Sequence, residues 1–157
     1  MNYRQGASAF IINDKKEFLM VLGVKKDRSE PDYWKIPAGG VEGNEDFETA
    51  LKREMLEEIG ITELDYDIIG KSKYTDKFTW PKEVSQKKFE KKGVWYDGQE
   101  RVIFVLKLKN PNQEFKLQVE EVAGIKWFNK NNFESIILFP IQIEFMKKVI
   151  EEFKEYF

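Results

Sequence analysis

The sequence predicts a protein of the α/β (α+β) class, and three stretches carry this prediction. Residues 101–108 read RVIFVLKL, a run of branched and aromatic side chains that is typical of a strand inside a sheet. A charged helix is expected from about Glu45 to about Ile59. A second, amphipathic helix is expected to begin at Pro140, because proline is favoured at the first position of a helix.

The strands that precede the charged helix are short. Residues 7–12 and 17–24 are apolar runs separated by the turn-forming residues 13–16, and this pattern predicts a β-hairpin. The run 33–36 predicts a further strand that ends directly before Pro37 and a pair of glycines.

Two strands and a long loop are expected after the helix. Residues 65–69 and 71–75 have the composition of strands, with Gly70 as a bulge between them. Residues 78–98 are polar and rich in lysine, and they predict a loop that is too long to be a simple connection.

The C-terminal part continues this mixed pattern. Residues 124–128 predict a short strand, and residues 131–137 predict a helical turn. The final helix has an apolar stripe that predicts contact with the core, and binding of a partner is the alternative. The stripe consists of Ile143, Met146, Ile150 and Phe153.

Composition limits the class of protein. The chain has 157 residues, of which 41% are hydrophobic, and this suits one domain that spans residues 1–157. Its net charge of −2 argues against a dedicated nucleic-acid coat or a strongly basic membrane-binding patch. No apolar run reaches the roughly 18 residues of a membrane span, and no signal peptide is present, so a cytoplasmic protein without a membrane partner is expected.

The chain contains no cysteine and no histidine. A disulfide, a thiol nucleophile, an imidazole base and an ordinary zinc site are therefore excluded. Catalysis would fall to carboxylates, lysine, tyrosine and a metal ion. Because only oxygen ligands are available, the hard cations Mg²⁺ or Mn²⁺ are the expected cofactors.

The charged helix concentrates carboxylates on one face. Asn44 is the expected N-cap, and Gly60 is the residue expected to end the helix. At ~100° per residue, Glu54, Glu57 and Glu58 fall within an arc of roughly 100°. Like charges at this spacing repel one another unless a cation neutralises them, so a divalent metal ion is the expected partner. The alternative is a solvated surface, because glutamate is a good helix former.

The segment GGVEGNEDFETALKREMLEEIGI, which includes this helix, resembles the Nudix box. This box is the signature of hydrolases that cleave nucleoside diphosphates linked to another group, and every fixed position of it is filled here. Its charged and glycine positions are Gly39, Glu45, Arg53, Glu54, Glu57, Glu58 and Gly60. The resemblance implies the Nudix fold, in which a mixed β-sheet is sandwiched between α-helices.

The resemblance also implies roles for individual residues. A divalent metal would be held by three carboxylates and one backbone carbonyl. These ligands are Glu54, Glu57, Glu58 and either Ala38 or Gly39. Arg53 and Glu45 are implied to hold the glycine loop against the helix and so to orient the ligands.

A second segment, residues 118–128, resembles a Nudix loop in which a glutamate lies six residues before a tryptophan. Glu121 has this spacing to Trp127. In several Nudix branches such a glutamate is a further metal ligand or the general base. The alternative is that Glu120 and Glu121 are loop surface.

Two further stretches resemble the branch of diadenosine tetraphosphate hydrolases and RNA pyrophosphohydrolases. They are Tyr3-Arg4 and the segment WYDGQ at residues 95–99, and the C-terminal helix, which ends in residues 149–153, also resembles this branch. This resemblance implies a substrate site of aromatic faces and cations. Candidate contacts are Arg4, Tyr74, Trp95 and Tyr96, together with Tyr3, Trp80 and the lysines of residues 82–92. Ala38 departs from the glutamine that is typical of RNA-processing members.

The predicted activity is metal-dependent hydrolysis of a nucleoside polyphosphate, with a dinucleoside polyphosphate such as diadenosine tetraphosphate as the first candidate. Alternatives are 5′-triphosphorylated RNA, a free (d)NTP and dihydroneopterin triphosphate, because PDYW before the box resembles the last group. A non-catalytic nucleotide-sensing Nudix module is an alternative of another class, against which the intact glutamate set argues. Both a monomer and a homodimer are compatible with the sequence.

Overall fold

The computed structural model describes residues 1–25, 27–137 and 140–157. The strands are β1 (Tyr3–Ile12), β2 (Phe18–Gly23), β3 (Trp34–Lys35), β4 (Ala38–Gly40), β5 (Tyr66–Thr79), β6 (Gly98–Leu108) and β7 (Val122–Phe128). The helices are α1 (Phe47–Ile59), α2 (Lys82–Lys92) and α3 (Pro140–Glu152), with 3₁₀ turns at Glu134–Ile136 and Lys154–Tyr156. Of the helices in these ranges, none combines the length and the apolar character that crossing a membrane requires.

The strands form one mixed sheet in the order β3-β2-β1-β6-β5, with β4 paired to β1 and β7 paired to β2. β6 runs parallel to β1 and antiparallel to β5, so the predicted position of residues 101–108 inside the sheet is confirmed. β1 begins at Tyr3 rather than at residue 7, because its parallel pairing continues until Tyr3 lies opposite Gly98.

The local signals in the first and fifth strands are also confirmed. β1 and β2 form the predicted antiparallel hairpin, and Asn13 Oδ1 closes the turn by accepting hydrogen bonds from the backbone of Lys15 and Glu17. In β5 the register shifts between Ile68 and Gly70, where the bulge was expected.

Helices cover both faces of the sheet. On β1, Ala9 and Ile11 belong to the core beneath α1, whereas Phe10 and Ile12 belong to the core beneath α3. This alternation follows from the two-residue period of a strand. The second core contains the predicted apolar stripe of α3 and a group of edge-to-face rings, Phe10, Phe18, Phe133 and Phe157. The predicted arrangement of a mixed sheet between helices is therefore confirmed.

Helix α1 begins later than predicted. Its first residue is Phe47, and its N-cap is Asp46, whose Oδ1 accepts a hydrogen bond from Thr49 N at 2.7 Å. The predicted start at Glu45 with Asn44 as the cap is wrong, because the carboxylate of Glu45 is engaged in the loop that precedes the helix.

The end of α1 is as predicted. Gly60 has a φ of 74°, and its N–H donates to Leu56 O at 3.1 Å. A Cβ at this position would lie 2.7 Å from the Cβ of Lys116. Both the backbone conformation and the lack of space therefore require glycine.

The prediction of a loop over residues 78–98 is wrong. β5 continues to Thr79, and helix α2 follows Pro81 and ends at Gly93, which has a φ of 74°. Within α2, Ser85 is the buried residue, so the sequence carries no apolar stripe that would indicate a helix. Proline before the first turn, lysines in the last turn and glycine after it were the signals available.

Replacement of Asp46 by alanine is expected to lower the free energy of unfolding by about 0.5–2 kcal/mol, because the cap of α1 is lost. The matched control is Asn44→Ala, two residues earlier, which should change the free energy of unfolding by less than about 0.5 kcal/mol. Chemical denaturation of the two variants measures the difference. Equal losses would mean that Asp46 does not cap the helix.

Candidate active site

The guanidinium of Arg53 joins the glycine loop to α1. Its Nε and Nη2 donate to the carboxylate of Glu45 at 2.9 Å each, and Nη2 also donates to Gly40 O at 2.8 Å. Its Nη1 donates to Glu54 at 2.9 Å and to Glu57 at 3.2 Å. The hydrogen bonds to Arg53 lower the pKa of Glu45, and those to Glu45 above all raise the pKa of Arg53. One side chain thus orients two of the predicted metal ligands.

Gly39 gives the backbone close access to these carboxylates. A Cβ built on Gly39 would overlap the carboxyl group of Glu54, so a larger residue could not occupy this position without displacing it. β4 is held in place by antiparallel pairing to β1, with Ala7 opposite Gly39. Burial raises the pKa of Glu54, and the hydrogen bond from Arg53 opposes this effect.

Glu58 is the most buried of the three helical glutamates. Its side chain is 3% exposed, and Oε1 has no hydrogen-bond partner among the residues described. Burial raises the pKa of Glu58 to about 7, while the charge of Lys35 and the backbone of Ala38 oppose the shift. The charge of Glu54 adds to it. A cation beside Oε1 would relieve both the missing contact and the repulsion.

Lys35 is a residue of the site that was not predicted from the sequence. Burial lowers the pKa of this residue of β3, and the charges of Glu58, Glu121 and Glu54 oppose the shift. The signal available was a lysine between two apolar residues directly before Pro37. Only the pairing of β3 with β2 places it beside the glutamates of α1.

Glu121 lies near the helical glutamates, as the spacing to Trp127 suggested. Its carboxylate acts on the pKa of both Glu54 and Glu58. Its backbone carbonyl accepts a hydrogen bond from Val24 N at 3.1 Å, which holds the loop against the end of β2. Glu120 is exposed and is not among the main charges acting on Glu54 or Glu58.

The donor set fits a hard divalent cation. The side chains that could bind a metal are all carboxylates, Glu58 has an unpaired buried oxygen, and the carboxyl group of Glu54 packs directly against the backbone of Gly39. No three acidic residues in the described ranges already converge as a metal site. Glu54 and Glu57 instead both accept hydrogen bonds from Arg53 Nη1.

A cavity of about 790 Å³ lies where β5 ends and where α2 and α3 begin. Aromatic rings dominate its lining, which includes Tyr3, Tyr33, Phe78, Trp80, Ile141 and Gln142. Lys77 Nζ lies 4.5 Å from the centre of the Tyr3 ring. Tyr33 and Phe78 were missed as candidate contacts, because the surface aromatics of a sequence do not show which of them share a cavity.

The predicted substrate contacts do not all meet. Arg4 and Tyr96 line a small pocket with Trp80, and the guanidinium of Arg4 lies against Gly40. Trp95 instead packs on Phe89 with ring centres 6.2 Å apart and donates from Nε1 to Asp97 at 3.2 Å. Tyr74 lies elsewhere, between β5 and α3, where the Nζ atoms of Lys73 and Lys148 lie over its ring.

Comparison with known proteins identifies the family. A family model described as the NUDIX domain matches residues 2–153. The chain belongs to the Nudix family. This membership confirms the predicted enzyme class, a Nudix-type pyrophosphohydrolase acting on phosphoric anhydride bonds.

Several Nudix proteins are similar along nearly the whole chain. The RNA pyrophosphohydrolase of Orientia tsutsugamushi (strain Boryong) is 31% identical over 153 residues, covering 96% of this chain and 89% of that protein. The RNA pyrophosphohydrolase of a Nitratiruptor species is 30% identical, with 98% and 94% covered. A C. elegans Ap4A hydrolase has the same fold, with a TM-score of 0.72, 22% identity and coverage of 98% and 99%.

In the absence of divalent metal, the stability of the protein is expected to fall as the pH rises from about 4.5 to about 7. Below this range Glu58 is protonated in both states, and above it the fold must bury a charge that the unfolded chain exposes to water. In Glu58→Gln, the decrease in the free energy of unfolding over this pH range should be smaller by up to roughly 3 kcal/mol. Urea unfolding with chelator across this pH range measures it.

The matched control is Glu48→Gln, which changes an exposed glutamate on the same helix. This variant should retain the pH dependence of the native chain. An unchanged profile in Glu58→Gln would mean that Glu58 does not titrate in this range.

Proposed function

We propose that this Nudix enzyme hydrolyses an anhydride bond in the phosphate chain of a nucleotide, with the glutamates of α1 holding Mg²⁺ or Mn²⁺. The observation that carries the proposal is the buried, unpaired Oε1 of Glu58, whose carboxylate lies near that of Glu54. A buried carboxylate oxygen without a hydrogen-bond partner is destabilising in a protein interior, so its retention here indicates a ligand that the chain alone does not supply.

Each residue of the site has a proposed task. Glu54, Glu57 and Glu58 supply the metal-binding carboxylates, with the backbone of Ala38 or Gly39 as a further donor. When bound, the ion neutralises phosphate charge and makes water more acidic. Arg53 and Glu45 keep the glycine loop and the helix in register, which preserves the spacing between the carboxylates.

Glu121 is the proposed general base, which accepts the proton of the attacking water. The chain has no histidine for this task, and Glu121 is near enough to Glu54 and Glu58 to influence their pKa values. As an exposed side chain on a loop, it can approach a bound substrate without crossing the buried cluster.

The proposed substrate is the 5′ end of triphosphorylated RNA. Relatives about 30% identical over nearly the whole chain are named RNA pyrophosphohydrolases. The aromatic cavity provides a stacking surface for a base, and α2 places lysines beside it, with Lys88 Nζ 4.9 Å from the centre of the Trp80 ring. Single-stranded nucleic acid is bound in general by such aromatic faces combined with cations.

A dinucleoside polyphosphate is the second candidate. Trp80 lines both the large cavity and the small pocket that holds Arg4 and Tyr96. The large cavity would receive one base, and the phosphate chain would extend towards Arg4 and the lysines that line the small pocket with Trp80. Diadenosine tetraphosphate would then be cleaved asymmetrically to ATP and AMP.

Activity is expected to require Mg²⁺ or Mn²⁺, to disappear in excess chelator, and to be poorly supported by Zn²⁺. Glu57→Gln and Glu121→Gln should each lower kcat by at least ~10²-fold, because each removes a charge needed in the reaction. Glu120→Gln is the matched control and should retain activity. Release of pyrophosphate or phosphate is the measurement.

If Glu57→Gln is fully active, or if hydrolysis continues in chelator, the catalytic role of the glutamates is refuted. Nucleotide binding without hydrolysis by the native chain would instead support the non-catalytic sensing module.

Trp80→Ala is expected to raise KM by roughly 5- to 150-fold while kcat changes little, because base stacking contributes ~1–3 kcal/mol to binding. Trp95→Ala is the control, since Trp95 lies outside the large cavity. Steady-state kinetics with a 5′-triphosphorylated oligoribonucleotide and with diadenosine tetraphosphate measure both effects. A higher kcat/KM for diadenosine tetraphosphate would make the second candidate the substrate.

A further inference from the structure

An arginine inside the sheet has no role in the reaction as proposed above. Arg101 lies on β6, directly opposite Gly6 of β1 on one side and Asp76 of β5 on the other. Its Nε is buried and has no hydrogen-bond partner among the residues that the structure describes. Buried N–H donors are almost always paired in native proteins, so this atom is available for a group that the chain does not contain.

Asp76 neutralises Arg101 only in part. Burial lowers the pKa of Arg101, and the charge of Asp76 is the main influence that opposes this shift. Asp76 nevertheless leaves Nε without a hydrogen bond. The pKa of Asp76 is itself raised by burial. The Nε–H of Arg101 therefore remains available to an anion that carries more negative charge than the carboxylate of Asp76.

Two further cations lie close to Arg101. Arg4 on the neighbouring strand and Lys35 on β3 each repel it electrostatically. Arg4 also lies against Gly40, whose carbonyl accepts the hydrogen bond from Arg53. These three residues, Arg4, Lys35 and Arg101, form a cationic cluster next to the glycine loop. Positive side chains that lie close together and partly shielded from solvent favour the binding of an anion.

A small cavity beside Arg101 and Lys35 shares lining residues with the aromatic cavity. It has a volume of about 30 Å³, enough for one or two water-sized groups, and is lined by Arg101, Asp76 and Lys35 among others. Tyr33 and Gln142 line both cavities, and Gln142 Nε2 donates to Tyr33 Oη at 3.1 Å at their boundary. Arg101 and the aromatic cavity therefore lie on the two sides of this boundary.

We propose that Arg101 binds a phosphate group of the substrate, with Nε donating to a phosphate oxygen between the glutamates of α1 and the aromatic cavity. Arg101 is then a substrate-binding residue that fixes the position of the phosphate chain, while Glu58 and its neighbours act at the other end of the same chain. The inference rests on the proposed function, because it takes the ligand to be the phosphate chain of a nucleotide.

The first experiment measures phosphate binding without catalysis. Isothermal titration of inorganic tripolyphosphate in the presence of chelator compares the native chain with Arg101→Gln and Arg101→Lys. Arg101→Gln should weaken binding by at least about 10-fold, and Arg101→Lys should restore it in part, because lysine retains the charge but not the forked donors. The matched control is Lys107→Gln, on the same face of β6 but near its other end, which should bind like the native chain.

The double variant Asp76→Asn/Arg101→Gln removes the opposed charges together, so it tests the proposal even if Arg101→Gln does not fold. It should bind tripolyphosphate at least about 10-fold more weakly than Asp76→Asn alone. In kinetics, Arg101→Gln should raise KM for the triphosphorylated oligonucleotide while kcat stays within about 3-fold.

The proposal would be overturned if Arg101→Gln bound tripolyphosphate as tightly as the native chain, or if the double variant bound it as tightly as Asp76→Asn. A lack of binding by the native chain would overturn it as well. These results are independent of hydrolysis. If the native chain binds tripolyphosphate through Arg101 but hydrolyses no nucleotide, the phosphate site stands and the proposed function fails.

Discussion

The hydrogen-bond network of Arg53 is the constraint on which the candidate site depends. One guanidinium joins the loop residues Gly40 and Glu45 to Glu54 and Glu57 on α1. The planar fork of an arginine can bond in several directions at once, which a lysine cannot do. Without it, three neighbouring glutamates would repel one another, and the loop, although paired to β1, would lose its direct link to the helix.

Charge is distributed unevenly around this network. Glu54 and Glu58 are half-buried or buried with raised pKa values, which favours the arrival of a cation. Arg4, Lys35 and Arg101 form a cationic cluster next to the glycine loop, where an anion is favoured. The proposed substrate, with its phosphates between a metal ion and the aromatic cavity, would add to the partial compensation that Lys35 gives Glu58 and Asp76 gives Arg101.

Helix α2 and the aromatic cavity show where local sequence information is insufficient. α2 buries little apolar surface, so its helical period is not visible in the pattern of apolar residues. From the sequence, Trp95 and Tyr74 were candidate substrate contacts just as Trp80 was. In the structure Trp95 packs on Phe89 and Tyr74 lies against α3, so neither lines the aromatic cavity. Such choices depend on packing between elements that are distant in the chain.

The sequence by itself determined the family, the glutamate face of α1 and the glycine that ends this helix. It also determined the hairpin and the strand of residues 101–108. All of these features depend on the spacing of residues within a short segment. Tertiary structure alone decided that Lys35 lies beside the same glutamates and that Arg101 lies opposite Asp76. It also selected Asp46 over Asn44 as the cap, because Arg53 engages Glu45 in the loop. Strand register and side-chain competition set these contacts, and both act between residues far apart in the sequence.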